Sequence, residues 1–176
     1  GYEGPEPRGA GPCGRIGGGM MERIASFTVN HDVLTPGLYL SRRDGDVVTF
    51  DLRFKKPNTG DLLTNSEMHS VEHVIATLLR NSASKDAVVY FGPMGCQTGF
   101  YFLFDGGKLT NAQAVALLQE VFAAGAAFDG PMPGNSTREC GNCRNLDVAL
   151  ARRCCGYYAA LIAGWSEAKL AYPTAE

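Results

Sequence analysis

The stretch Ser66–Phe104, SEMHSVEHVIATLLRNSASKDAVVYFGPMGCQTGFYFLF, decides the architecture. Ser66 to about Ser82 sets Met68, Val71, Ile75, Leu78 and Leu79 on one side at helical spacing, with Ser66 as the expected N-cap, and predicts a helix. Ala87–Phe91 and Thr98–Phe104 are short runs rich in β-branched and aromatic residues, and predict two strands with only a Gly-Pro-Met-Gly-Cys turn and Gln97 between them. Upstream, Gly37–Leu40 and Val47–Phe54 read as strands about the turn Arg43-Asp44-Gly45-Asp46, and 55–60 is a polar loop. Downstream, Thr110 caps an expected helix to about Ala127, 129–135 is a loop, and a third helix is expected from about Asn145 to Ala163. Strands and helices mix without strict β-α-β alternation, so the class is α+β.

The bulk properties narrow the functions. At 176 residues and 45% hydrophobic content the chain can bury a core but not two comfortable ones, so a single domain over 21–176 is expected. Ile24, Phe27 and Val29 open its ordered part. Before Met20, eight glycines and three prolines with no hydrophobic period predict a disordered tail or a segment foreign to the protein over 1–20. A net charge of −2 with interspersed signs removes the electrostatic footprint of a nucleic-acid binder. No long apolar run predicts a membrane span or secretory signal, so a cytoplasmic protein is expected. The scatter of six cysteines then suggests thiols for metal binding or catalysis rather than a disulfide framework.

His69-Ser70-Val71-Glu72-His73 is an H-x-x-E-H element. At about 100° per residue its two imidazoles share a helix face one turn apart, which suits one metal ion, while Val71, Ile75, Leu78 and Leu79 take the other side. Glu72 flanks that face and can serve as acid or base without coordinating; Arg80 returns to it further along. The bare pair also reads as two surface or capping histidines. Cys140, in Glu139-Cys140-Gly141-Asn142-Cys143, is a candidate third ligand, since a catalytic divalent site wants three protein ligands and an open position. The competing zinc knuckle needs a second pair of ligands, and adjacent Cys154-Cys155 cannot easily chelate one ion. Cys96 sits in a turn whose glycines and proline impose unusual backbone, where a neighbouring cation would favour thiolate; a buried inert cysteine is the alternative. Cys143, Cys154 and Cys155 read as structural thiols.

Five blocks then stand together in one order: Ser26-Phe27-Thr28-Val29-Asn30-His31, Phe50-Asp51-Leu52-Arg53-Phe54, His69-x-x-Glu72-His73, Pro93-Met94-Gly95-Cys96-Gln97-Thr98-Gly99-Phe100 and Glu139-Cys140-Gly141. Over about residues 24–165 the chain resembles the S-ribosylhomocysteine lyases of the LuxS family, makers of the autoinducer-2 precursor. H-x-x-E-H alone is a weak signal, but joined to the Cys96 block at this separation it is specific. The resemblance implies an antiparallel sheet packed with helices and a homodimer with active sites at the subunit interface. It also implies one divalent metal per subunit on His69, His73 and Cys140, with ferrous iron native and zinc or cobalt able to replace it. Glu72 and Cys96 match the acid/base pair, and Ser26, His31, Arg53 and Arg80 match substrate contacts.

The implied reaction opens the ribose, moves its carbonyl from the first to the third carbon, and eliminates homocysteine, leaving 4,5-dihydroxy-2,3-pentanedione. It serves quorum sensing and the activated methyl cycle. Tyr90 stands where the family has an aspartate for the amino-acid end of the substrate, leaving recognition of that end open; Leu146 replaces a common histidine. Two rivals remain: a metallopeptidase of the inverted H-x-x-E-H type, disfavoured by length and by the Cys96 block, and a catalytically inactive metal-binding scaffold of the same fold.

Overall fold

The computed structural model describes residues 22–175. Two hairpins build one antiparallel sheet. β1 (Gly37–Asp44) and β2 (Val47–Arg53) meet across Gly45-Asp46, where Gly45 takes a positive φ of 61°, a conformation glycine adopts without a Cβ penalty. β3 (Val88–Pro93) and β4 (Gly99–Asp105) form the second hairpin, and β2 pairs with β4 from Val47↔Asp105 to Arg53↔Gly99, giving the order β1-β2-β4-β3. The class is α+β, as expected.

Side-chain alternation gives the sheet two different faces. Val48, Phe50, Leu52, Phe100, Phe102 and Phe104 are all fully buried and point toward the helices. Thr49, Asp51 and Arg53, between them on β2, point away, together with Tyr101 and Leu103. Three helices cover the apolar face: α1 (Asn65–Arg80), α2 (Asn111–Ala126) and α3 (Val148–Ile162). Val71, Ile75 and Leu79 of α1 are fully buried, each contributing on the order of 1.5–3 kcal/mol. Tyr158 of α3 stacks on Phe54 at 4.2 Å and donates a hydrogen bond to the Gly37 carbonyl, tying the helical layer to β1.

The helix starts depart from expectation. The N-cap of α1 is Thr64, not Ser66: Thr64 accepts from the Glu67 amide while the Glu67 carboxylate accepts from the Thr64 amide, closing a capping box that outcompetes a lone serine. The Ser66 hydroxyl donates instead to the Asn145 carbonyl. α2 begins at Thr110 as expected, through a box with Gln113. α3 starts later than expected because the Asp147 carboxylate caps it; Cys143–Asn145 is a short 3-10 turn. Ile24 and Phe27, expected to open the ordered region, lie in or beside such a turn and are 54% and 64% exposed. The expectation for 1–20 lies outside the described residues.

Candidate active site

α1 presents His69 and His73 on one partly buried face, their rings 4.6 Å apart and nearly perpendicular. The loop before α3 brings Cys140 to them, and one ligand atom from each of the three lies within 4.8 Å of the others. The proton positions follow from the partners. His73 Nδ1 is 2.8 Å from the Pro133 carbonyl, which can only accept, so Nδ1 carries a hydrogen and Nε2 is the ring atom turned to the cluster. His69 Nδ1 is 2.5 Å from Asn145 Oδ1, and the Asn145 amide is oriented by donating to Asn65 Oδ1 at 2.6 Å. His69 Nε2 is left facing Cys140 Sγ at 3.3 Å. The Asn142 amide donates to that sulfur. Gly134 has a φ of 65°, and a Cβ there would come within 3.1 Å of His73 Nδ1, so glycine is needed for conformation and space together.

Two imidazoles engaged through Nδ1 and a cysteine sulfur, each backed by an outer hydrogen bond, are a donor set that can hold one divalent metal ion. The Glu72 side chain opens into the same cleft, lined also by Asn65, Met68, Pro93 and Asn142.

Cys96 is exposed, in the turn joining β3 to β4. Gln97 beside it adopts a φ of 62°, a left-handed backbone held by its side-chain amide donating to the Leu63 carbonyl and by the Leu63 amide donating to its own carbonyl. Gly99 is required by close approach, since a Cβ there would lie 2.2 Å from the Leu52 carbonyl oxygen. Cys96 Sγ lies 3.1 Å from Thr98 Oγ1 and 3.9 Å from Arg53 Nη1. Thr98 Oγ1 accepts from that same Nη1 at 2.7 Å, which leaves its own proton free to donate to the sulfur. Burial works against the Arg53 charge, but the adjoining Asp51 carboxylate, together with Cys96 and Tyr172, outweighs it and holds the guanidinium above its ordinary range.

The sequence-predicted residues thus fall into groups. His69, His73 and Cys140 converge in one cluster, and His69 lines a cleft with Glu72. His31, its Nδ1 2.9 Å from the Val29 carbonyl, lines a second cleft with Cys96 and Thr98, and Arg53 reaches the thiol from below. Ser26 lies in a neighbouring groove with Tyr90, Tyr101 and Arg42. Tyr90 is half exposed and folds over Gly92, where a Cβ would meet its hydroxyl at 2.0 Å. Arg80 stands apart, its guanidinium donating to the carbonyls of Val88 and Val89 at 2.8 and 2.9 Å. Asn145, Thr98, Asp51 and the Pro133 carbonyl were not anticipated. Thr98 and Asp51 lie inside motif blocks already read, whereas nothing in the sequence marks Asn145 or Pro133.

Among known proteins, a family model described as S-Ribosylhomocysteinase (LuxS) matches residues 24–168. The S-ribosylhomocysteine lyase of Clostridium acetobutylicum is 45% identical over 158 residues, covering 87% of this chain and 99% of its own length. That of Desulfotalea psychrophila is 45% identical over 160 residues, covering 88% and 100%. That of Borreliella burgdorferi (strain ZS7) is 39% identical over 158 residues, covering 87% and 100%. With its histidine–cysteine cluster and near full-length similarity to these enzymes, the chain belongs to the S-ribosylhomocysteinase (LuxS) family.

Proposed function

We propose that this protein is an S-ribosylhomocysteine lyase, a carbon–sulfur lyase that releases homocysteine and 4,5-dihydroxy-2,3-pentanedione, the precursor of autoinducer-2. The observation that carries this reading is the convergence of His69, His73 and Cys140 within 4.8 Å, beside Glu72, in a chain of this family. His69, His73 and Cys140 would hold a divalent ion, ferrous iron with zinc or cobalt as substitutes, which would supply Lewis acidity to the site.

The chain's own groups move the protons. Carbonyl migration from the first to the third carbon requires a proton to leave one carbon and another to arrive at the next, twice, and the Glu72 carboxylate and Cys96 thiolate are the two carriers. With the carbonyl at the third carbon, removal of the proton from the fourth expels the sulfur from the fifth, and homocysteine leaves as a thiol once protonated. Arg53 and Thr98, both within hydrogen-bonding reach of Cys96 Sγ, hold the sulfur in place. Ser26, His31, Arg53 and Arg80 are proposed substrate contacts. No feature of the described residues favours the inactive-scaffold reading.

A homodimer working in the cytoplasm, with its sites at the interface, completes the proposal. Its support is the family membership; in the single chain Cys96 and Glu72 line different clefts, an arrangement consistent with a second copy bringing them together. No helix among the described residues is long and apolar enough to cross a membrane. The test is homocysteine release, read with a thiol reagent, from protein reconstituted anaerobically with ferrous iron or cobalt. Turnover that disappears on chelation supports the reading; none from fully metallated dimer would return belief to the inactive scaffold.

A further inference from the structure

We propose that Tyr172 and Asp51 are positioning residues for the Cys96 thiol, acting through Arg53; the inference rests on the assignment of Cys96 as one of the two proton carriers. Asp51 and Arg53 are 1% and 2% exposed on the sheet face turned away from the helices. Arg53 uses Nε and Nη2 on the two Asp51 oxygens, at 3.1 and 2.6 Å, a two-pronged grip that sets the plane of the guanidinium. That grip leaves Nη1 aimed at Thr98 Oγ1 and Cys96 Sγ. The direction of the charge under the thiol is therefore set by Asp51.

Asp51 is itself held from a distant part of the chain. After α3, Trp165 Nε1 donates to the Leu38 carbonyl and the Leu40 amide donates to the Leu170 carbonyl, both at 2.8 Å, strapping the C-terminal segment along β1. The strap ends with Tyr172 stacked on Tyr39 at 5.1 Å and its hydroxyl donating to Asp51 Oδ2 at 2.8 Å. Burial, then the charge of Asp51, pushes the Tyr172 phenol well above its ordinary range, so it remains a neutral donor. Tyr172 lies beyond residues 24–168, the stretch matched to the family. By taking up part of the carboxylate's charge, the phenol leaves more of the guanidinium's positive potential for Cys96. Without the hydroxyl, Asp51 draws on Arg53 alone and the thiolate loses support.

The test compares wild type, Tyr172→Phe and Arg53→Lys in the metal-loaded protein, by the site-resolved rate of Cys96 alkylation with iodoacetamide as a function of pH, alongside homocysteine release. Phenylalanine keeps the ring and its stack. The other charged or titratable groups around the thiol, His31 in its cleft and Tyr101 and Arg42 on the sheet face, are unchanged in Tyr172→Phe. The alkylation profile of Tyr172→Phe is expected to move to higher pH by about half to one unit. Its kcat is expected to fall roughly three- to tenfold with KM little changed and metal content intact. A profile unmoved in Tyr172→Phe, whether or not Arg53→Lys moves it, overturns the proposal, as does a loss of thermal stability alone. In an Asp51→Asn background, adding Tyr172→Phe should move the profile no further, and a fully additive shift also overturns it. The alkylation profile reads Cys96 directly, so a failed proposal shows there with turnover intact, whereas a failed lyase reading shows as wild-type protein that releases no homocysteine.

Discussion

Asn145 is 76 residues from His69 in sequence, yet its Oδ1 gives the His69 Nδ1 hydrogen an acceptor. Such an outer contact fixes ring orientation and tautomer, and its loss in metal sites costs roughly 10- to 100-fold in affinity. Asn145→Ala is therefore expected to release cobalt to a competing chelator at least about tenfold more readily, with a weakened thiolate-to-cobalt absorption band. An unchanged competition curve would show that His69 needs no such support. Cys96→Ala and Glu72→Gln should behave in the opposite way, retaining full metal while losing homocysteine release; residual turnover near the wild-type rate in either would remove that residue from the proton-carrying pair. The His69–His73–Cys140 cluster was legible in part because its two histidines sit four apart on one helix, a spacing that geometry alone interprets. Asn145 was not, since an asparagine in a loop has many ordinary uses.

At the scale of elements, α1 positions the site, and its start is set by the reciprocal bonds of Thr64 and Glu67. Thr64→Ala is expected to cost about 1 kcal/mol, which for a chain of this size lowers Tm by roughly 2–4 °C. A Tm unchanged by the substitution would mean that packing of Val71, Ile75 and Leu79 holds the first turn without its cap. α3 predicts a pH dependence. Burial pushes the Cys154 thiol up to about 11 and the Cys155 thiol up to about 12, from an ordinary 9.0. An acid whose folded pKa is raised keeps its proton in the native state while the unfolded chain loses it. Stability is thus fully present below about pH 9 and falls as pH rises toward 11 to 12. Urea midpoints of wild type should drop between about pH 8 and about pH 10.5 by more than those of Cys155→Ala, and equal drops would show that these thiols do not carry the effect.

For the whole molecule, the proposed homodimer, with Cys96 of one copy facing Glu72 of the other, makes a sharp prediction. Cys96→Ala and Glu72→Gln subunits, each inactive alone, should regain activity when unfolded together and refolded. Random pairing makes half the dimers mixed with one intact site each, so about a quarter of wild-type activity is expected. Recovery of none, with mixed dimers confirmed by mass, would place both carriers within one subunit.

Periodicity and turn chemistry in the sequence determined which elements exist: the α1 stripe, two hairpins with short connections, and the Thr110 cap. Motif spacing singled out the histidine pair, Glu72, Cys140 and Cys96, since these signals are local and survive without tertiary context. Only the tertiary structure decided what surrounds them, because those contacts join residues remote in sequence. Asp51 and Arg53 form one motif block, but their burial on the sheet's far face appears only once β1, β2, β4 and β3 assemble and the C-terminal strap closes over them. Pairing of β2 with β4, with Arg53 opposite Gly99, sets the guanidinium beneath the Cys96 turn, and no local propensity specifies that register.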